Sequence, residues 1–167
     1  MVKHSKKQNR GVTLIEMMIV VAIIGIMTKV APDLYTQVRR FLFLSNTKVE
    51  IQREARTAMN LMTEDIRQAQ ASTISVTQQA GQPYYSRIVF TTIDGRSIRY
   101  YQNNKNLMFS VGTTTKTMSA NLRYLAFGFP KSDDMGIISV ALTLEKSTYE
   151  GRTKALHMAS EKVRVMN

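Results

Sequence analysis

Cysteine is absent from the 167 residues, which removes disulfide scaffolds, thiolate metal sites and cysteine nucleophiles together. Histidine is nearly as scarce. His4 and His157 are the only two, so a histidine zinc centre or a Ser-His-Asp triad would rest on His157 alone once the basic N-terminus is set aside. No phosphate-cradling glycine loop, zinc-ligand spacing or nucleophile elbow occurs in the chain. Acidic residues are outnumbered, 12 against 23 Lys and Arg, for a formal net charge of +11. None lies among Lys3, Lys6, Lys7 and Arg10, which read as a basic leader over residues 1–11 and stand apart from the fold. The remaining length suits one domain plus an extra element, and a hydrophobic content of 44% supports a packed core.

From Val12 to Ala31 the chain is apolar except at Thr13, Glu16, Thr28 and Lys29. As a helix those twenty residues span about 30 Å, the hydrocarbon thickness of a bilayer. A cleaved secretory signal fits poorly, because the nearest small residues (Lys29-Val30-Ala31 before Pro32) put a lysine and a proline around the cut. A plain single-span anchor leaves Glu16 unexplained, since burying its charge costs on the order of a few kcal/mol. Two readings of Glu16 stay open: a partner on another copy, or a side chain reaching the interface from one turn inside the span. The basic cluster keeps the N-terminus cytoplasmic and sends everything after Pro32 outside.

Pro32 predicts a kink or short break, and residues 34–71 read as a second, amphipathic helical half. Ile51, Ala55, Ala58, Met59, Met62, Ile66 and Ala69 recur at three- and four-residue spacing. Glu50–Arg53 and Glu64–Arg67 pairs are expected on its other face. Ser45-Asn46-Thr47 ahead of Glu50 has capping-box character, yet a continuous or slightly bent helix is the favoured reading. Beyond it the period changes to two. Arg87–Ile93 and Arg96–Gln102 flank the hairpin dipeptide Asp94-Gly95. Residues 107–111, 121–129, 137–145 and 153–165 supply further strands, with Ile138, Val140, Leu142 and Leu144 on one face and Val163 with Val165 on another. One long helix followed by strands indicates an α+β chain, an antiparallel sheet over residues 72–167 laid on the helix.

Gly11-Val12-Thr13-Leu14-Ile15-Glu16 and the apolar run after it resemble the N-terminus of type IV pilins and of the pseudopilins of type II secretion. "REARTAMNLMTEDIRQAQ" (53–70) and the closing "SEKVRVMN" look like a J-type minor pseudopilin or a W-type minor pilin. The resemblance implies a pilin-like fold and a structural, non-catalytic subunit without cofactor or metal. It implies that a prepilin peptidase cuts between Gly11 and Val12 and that the new Val12 amine is methylated. Glu16, at the fifth mature position, would pair with the amine of a neighbouring subunit and set register as helices enter a filament. Implied partners are the peptidase, other pilin or pseudopilin subunits and an inner-membrane assembly platform. The chain would sit in the inner membrane as a single-pass protein before entering the filament. Two departures are Val12 in place of the more frequent phenylalanine and Pro32 one position early.

Other features carry less. Asp133-Asp134 before Gly136 reads as a surface turn, short of the ligands a calcium loop needs, and the eleven methionines as packing. Arg87, Arg96, Arg99, Lys105, Arg123, Lys131, Arg152 and Lys154, with Tyr84, Tyr85, Tyr100 and Tyr101, raise DNA binding as a rival. Their scatter along the sequence argues for a solvated basic surface instead, so no nucleic-acid partner is expected. Alternatives to the structural subunit are an adhesin or DNA receptor at a filament tip, or a bitopic enzyme on an uncleaved anchor.

Overall fold

A computed structural model describes residues 11–131, 134–148 and 153–166. The basic leader residues 1–10, Asp133 and Arg152 lie outside them. Contacts divide the chain into two units, Met1–Leu42 and Phe43–Asn167.

In the first unit, helix α1 (Leu14–Arg67) begins. Every described side chain up to Leu42 is exposed, including Ile15, Val21, Ile26, Leu34, Val38 and Phe41. It is the one helix among the described residues long and apolar enough to cross a membrane. The short break allowed for at Pro32 does not occur, because α1 runs through that residue. Proline lacks the N–H that would bond the Thr28 carbonyl, while the Thr28 hydroxyl donates to the Ile24 carbonyl at 2.8 Å.

In the second unit α1 buries the anticipated stripe. Ile51, Ala55, Met62 and Ile66 are fully buried, and Ala58 and Met59 nearly so. No helix restarts at Ser45–Thr47: the Thr47 hydroxyl donates back to the Phe43 carbonyl at 2.9 Å, an interior helical contact. The helix stops at Arg67, four residues short of the expected end at Ala71. Its last turn tightens, with Gln68 and Ala69 amides bonding the Asp65 and Ile66 carbonyls. The backbone then pairs elsewhere, since Gln70 N–H donates to Thr91 and Ile93 N–H to Gln68. A short 3₁₀ turn, Ala71–Thr73, follows.

Among the described residues, eight strands form two antiparallel sheets where one was expected. β1 (Ser75–Thr77), β2 (Arg87–Thr91), β3 (Ser97–Asn103), β4 (Asn106–Val111) and β5 (Thr114–Ser119) pair in sequence order. β6 (Leu122–Gly128), β7 (Ile137–Ser147) and β8 (Lys154–Arg164) make a second meander. The division falls at Asn121, whose side chain donates to Glu54 at 2.9 Å and whose carbonyl accepts from the Glu145 amide at 2.7 Å. Those bonds commit the chain after β5 to the β7 edge.

The sheets are nonetheless joined. Buried Gln102 accepts from Leu125 N–H at 3.1 Å through Oε1 and donates to the Asn104 carbonyl at 3.0 Å through Nε2. Leu122 N–H reaches the Lys105 carbonyl and Phe127 N–H the Tyr85 carbonyl. Ile88, Phe90, Ile98, Tyr100, Leu107, Leu125 and Phe127 meet Ile138, Val140, Leu142, Leu144 and Val163 in one core with the α1 stripe. Val165 joins them, so both facing sets expected from the alternation are inward.

The Asp94-Gly95 turn is wider than a two-residue hairpin. β2 ends at Thr91, Thr92 N–H bonds the Arg96 carbonyl, and Gly95 adopts a φ of 77° that favours glycine. Tyr85 also has a positive φ, 61°. For a bulky residue that conformation costs about 1–2 kcal/mol, offset here by the Tyr85–Phe127 bond and by Gln102 N–H donating to the Ser86 carbonyl at 3.0 Å.

Candidate functional site

The distinctive chemistry lies where α1 starts. Gly11, Val12 and Thr13 precede the helix and are exposed. Thr13 is the N-cap. Its backbone N–H and its hydroxyl both donate to Glu16 Oε2, at 2.8 and 3.0 Å, and Glu16 N–H points at the Thr13 hydroxyl oxygen at 3.4 Å. This is a reciprocal capping box, in which an N-cap threonine and a glutamate three residues on satisfy each other's amides. The carboxylate also sits against the positive end of the helix dipole. Within one chain Glu16 therefore has a local partner that the reading of its role from sequence missed. The signal was present in the spacing Thr13-x-x-Glu16 ahead of an apolar run.

Gly11 has no such local reason. A Cβ built on it meets no atom within 4 Å, and its φ is not in the left-handed region. Neither space nor backbone demands glycine there. Gly11 and Val12 form an exposed, non-helical peptide bond immediately before a capped helix. Val12 itself is 70% exposed.

Residues 6–28 match the family model of the prokaryotic N-terminal methylation motif. The match supports a type IV pilin-like precursor. It covers the Gly11–Val12 bond, the capping box and most of the apolar run, and the apolar helix together with the methylation motif fits anchoring in the inner membrane. No curated protein and no solved structure matches the chain.

The remaining sequence candidates scatter to separate places. Pro32 lies within α1, sixteen residues beyond Glu16. His157 is half-buried on the outer strand β8. Asp134 Oδ1 accepts from Gly136 N–H at 2.9 Å, a local turn contact. Tyr100 is buried and leaves the tyrosine set altogether; its hydroxyl donates to Asp65 Oδ2 at 2.5 Å. Burial, then that hydrogen bond, pushes its phenol well above the usual range.

Several cations are tied up. Arg96 pairs with Asp94 at 3.2 Å, and Glu145 is held by Lys154 and by Arg123 at 2.6 Å. The Lys154 ammonium, then the Arg123 guanidinium, holds the Glu145 carboxyl below its ordinary value. Glu50 reaches across to Lys146 at 2.5 Å and not along the helix to Arg53, and no Glu64–Arg67 pair forms among the described residues.

Proposed function

We propose that this chain is a structural minor pilin or pseudopilin, cut between Gly11 and Val12 and assembled into a type II secretion filament, a type IV pilus or the tip complex of either. The carrying observation is an unconstrained, exposed glycine set directly before a capping box and an uncovered apolar helix. After cleavage and methylation, the Val12 amine stands next to Thr13 and within reach of a Glu16 from another copy. An uncovered face helps the reading. Leu34, Val38, Phe41 and Leu42 remain exposed beyond the bilayer-length run, at spacings that put them along one side of the helix. Such a stripe is stabilised by packing against other helices. The chemistry belongs to the prepilin peptidase, and the partners are further subunits and an inner-membrane platform. The mature charge falls from +11 to +7 with loss of the four leader cations.

The test is intact mass and N-terminal sequencing of protein recovered from its native membrane, with and without prepilin peptidase. The expected product starts at Val12 only when the peptidase is present. Gly11→Val should leave the fold intact, because its side chain meets open space, and should block processing. A chain that retains residues 1–11 in both strains overturns the proposal.

A further inference from the structure

The five-stranded sheet turns one face to the core and the other to solvent. On the solvent face Arg87 of β2 lies directly opposite Tyr101 of β3, and Arg99 sits diagonally two residues along, about 7–8 Å from Arg87 by ladder geometry. Arg99 is exposed, and Arg87 and Tyr101 are half-buried. Neither guanidinium has a carboxylate partner among the described residues, where Asp94, Glu145 and Glu50 are all engaged with other cations. Arg87 Nε is buried without any hydrogen-bond partner. Asp94 is the only acid between residues 66 and 132. Threonine hydroxyls flank the two arginines: Thr77 opposes Arg87, and Thr115 and Thr117 continue the rows on β5, Thr115 bonding the buried Ser110 that opposes Arg99. At the entry to β2, Tyr84 and Tyr85 stand 72% and 61% exposed, the second held there in a strained conformation although its ring adds nothing to the core.

The geometry points to this face as a binding surface for an acidic, uronate-bearing polysaccharide. Arg87 and Arg99 take carboxylates through paired N–H donors. Tyrosine rings offer flat apolar area with a polar tip, suited to the C–H faces of sugars, and the threonine hydroxyls exchange hydrogen bonds with sugar hydroxyls. A nucleic-acid strand is a poorer fit. It is held by several cations at once and a run of stacking aromatics, whereas this face has two guanidiniums among threonine hydroxyls. The inference stands independently of the filament reading.

Alginate serves as the probe, with the full-length protein in detergent run in affinity electrophoresis. Alginate should retard the protein and neutral dextran should not. Arg99→Gln should weaken binding severalfold, and Arg87→Gln with Arg99→Gln at least tenfold, with melting temperatures unchanged. Arg96→Gln with Lys105→Gln removes the same charge from turns outside the face and should bind as wild type. Absence of retardation overturns the proposal, as does an equal loss in the turn variant. Tighter binding to a single-stranded oligonucleotide than to alginate would reassign the face to nucleic acid.

Discussion

Glu16→Gln is expected to insert into the membrane and be processed normally, and to disappear from assembled filaments. The capping box accepts glutamine at its third position as well as glutamate, so the amide oxygen can still take the Thr13 N–H that Glu16 Oε2 takes now. Removing a charge from a spanning segment eases insertion by up to a few kcal/mol. What glutamine lacks is the negative charge that a protonated Val12 amine on a neighbour would seek in a low-dielectric bundle. Glu16→Ala loses both functions, the cap alone being worth about 0.5–2 kcal/mol. The measurement is the fraction of subunit recovered in sheared filaments or cross-linked to neighbours, against total membrane-bound protein. If the glutamine variant assembles at the wild-type level, Glu16 is a helix cap and nothing more.

Tyr100→Ala is expected to bring the second unit close to unfolding. Tyr100 is 1% exposed, packs its ring 5.0 Å from that of Phe109 and donates to Asp65. Deleting a buried aromatic ring costs about 3–5 kcal/mol, against a total stability of about 5–15 kcal/mol for a typical domain. Tyr100→Phe isolates the hydroxyl and should cost about 1–3 kcal/mol, because the half-buried Asp65 carboxylate loses its donor. Asp65→Ala leaves the buried phenol unmatched, with a similar penalty. Urea melts of the two single variants and the double variant should show losses that do not add; additive losses would mean that the hydrogen bond contributes little.

The same pair has an alkaline signature. Because folding raises the Tyr100 phenol above its unfolded value of about 10, the stability it contributes is complete below pH 10 and declines above it as the unfolded phenol ionises. Wild type should lose stability above pH 10 more steeply than Tyr100→Phe. Equal slopes would place the phenol outside the linkage.

Where burial alternates with a clear period, the fold was legible from residue order. The α1 stripe from Ile51 to Ile66 and the inward face of β7 needed only the helical and strand periods. β1 and β5 escaped because their side chains face water on most positions: Thr114–Ser119 is threonine-rich and carries no apolar alternation. The split into two sheets was hidden for a different reason. It turns on the side-chain bond of Asn121 to a partner 67 residues away, while Gln102 rejoins the sheets through a partner 23 residues away, and polar residues of that kind look the same in sequence whether they bridge elements or face solvent. The early end of α1 likewise follows from pairing with β2, a non-local competitor for its backbone. At the N-terminus the run that matches the methylation motif was legible in residue order, but the partner of Glu16 within its own chain was missed, although the spacing Thr13-x-x-Glu16 carried its signal.

Among the described residues each strand pairs only with its neighbours in sequence, in both sheets, so strand pairing is local and little of the sheet waits on distant chain. The helix is different. Its stripe is made first and is buried by strands that run as late as Val163. At synthesis rates of about 5–20 residues per second, Ile51, Met62 and Ile66 spend roughly 5–20 seconds without their final cover. Nascent chains are thus most vulnerable to mispairing and to capture by holdases at the helix, before the sheets exist to claim it.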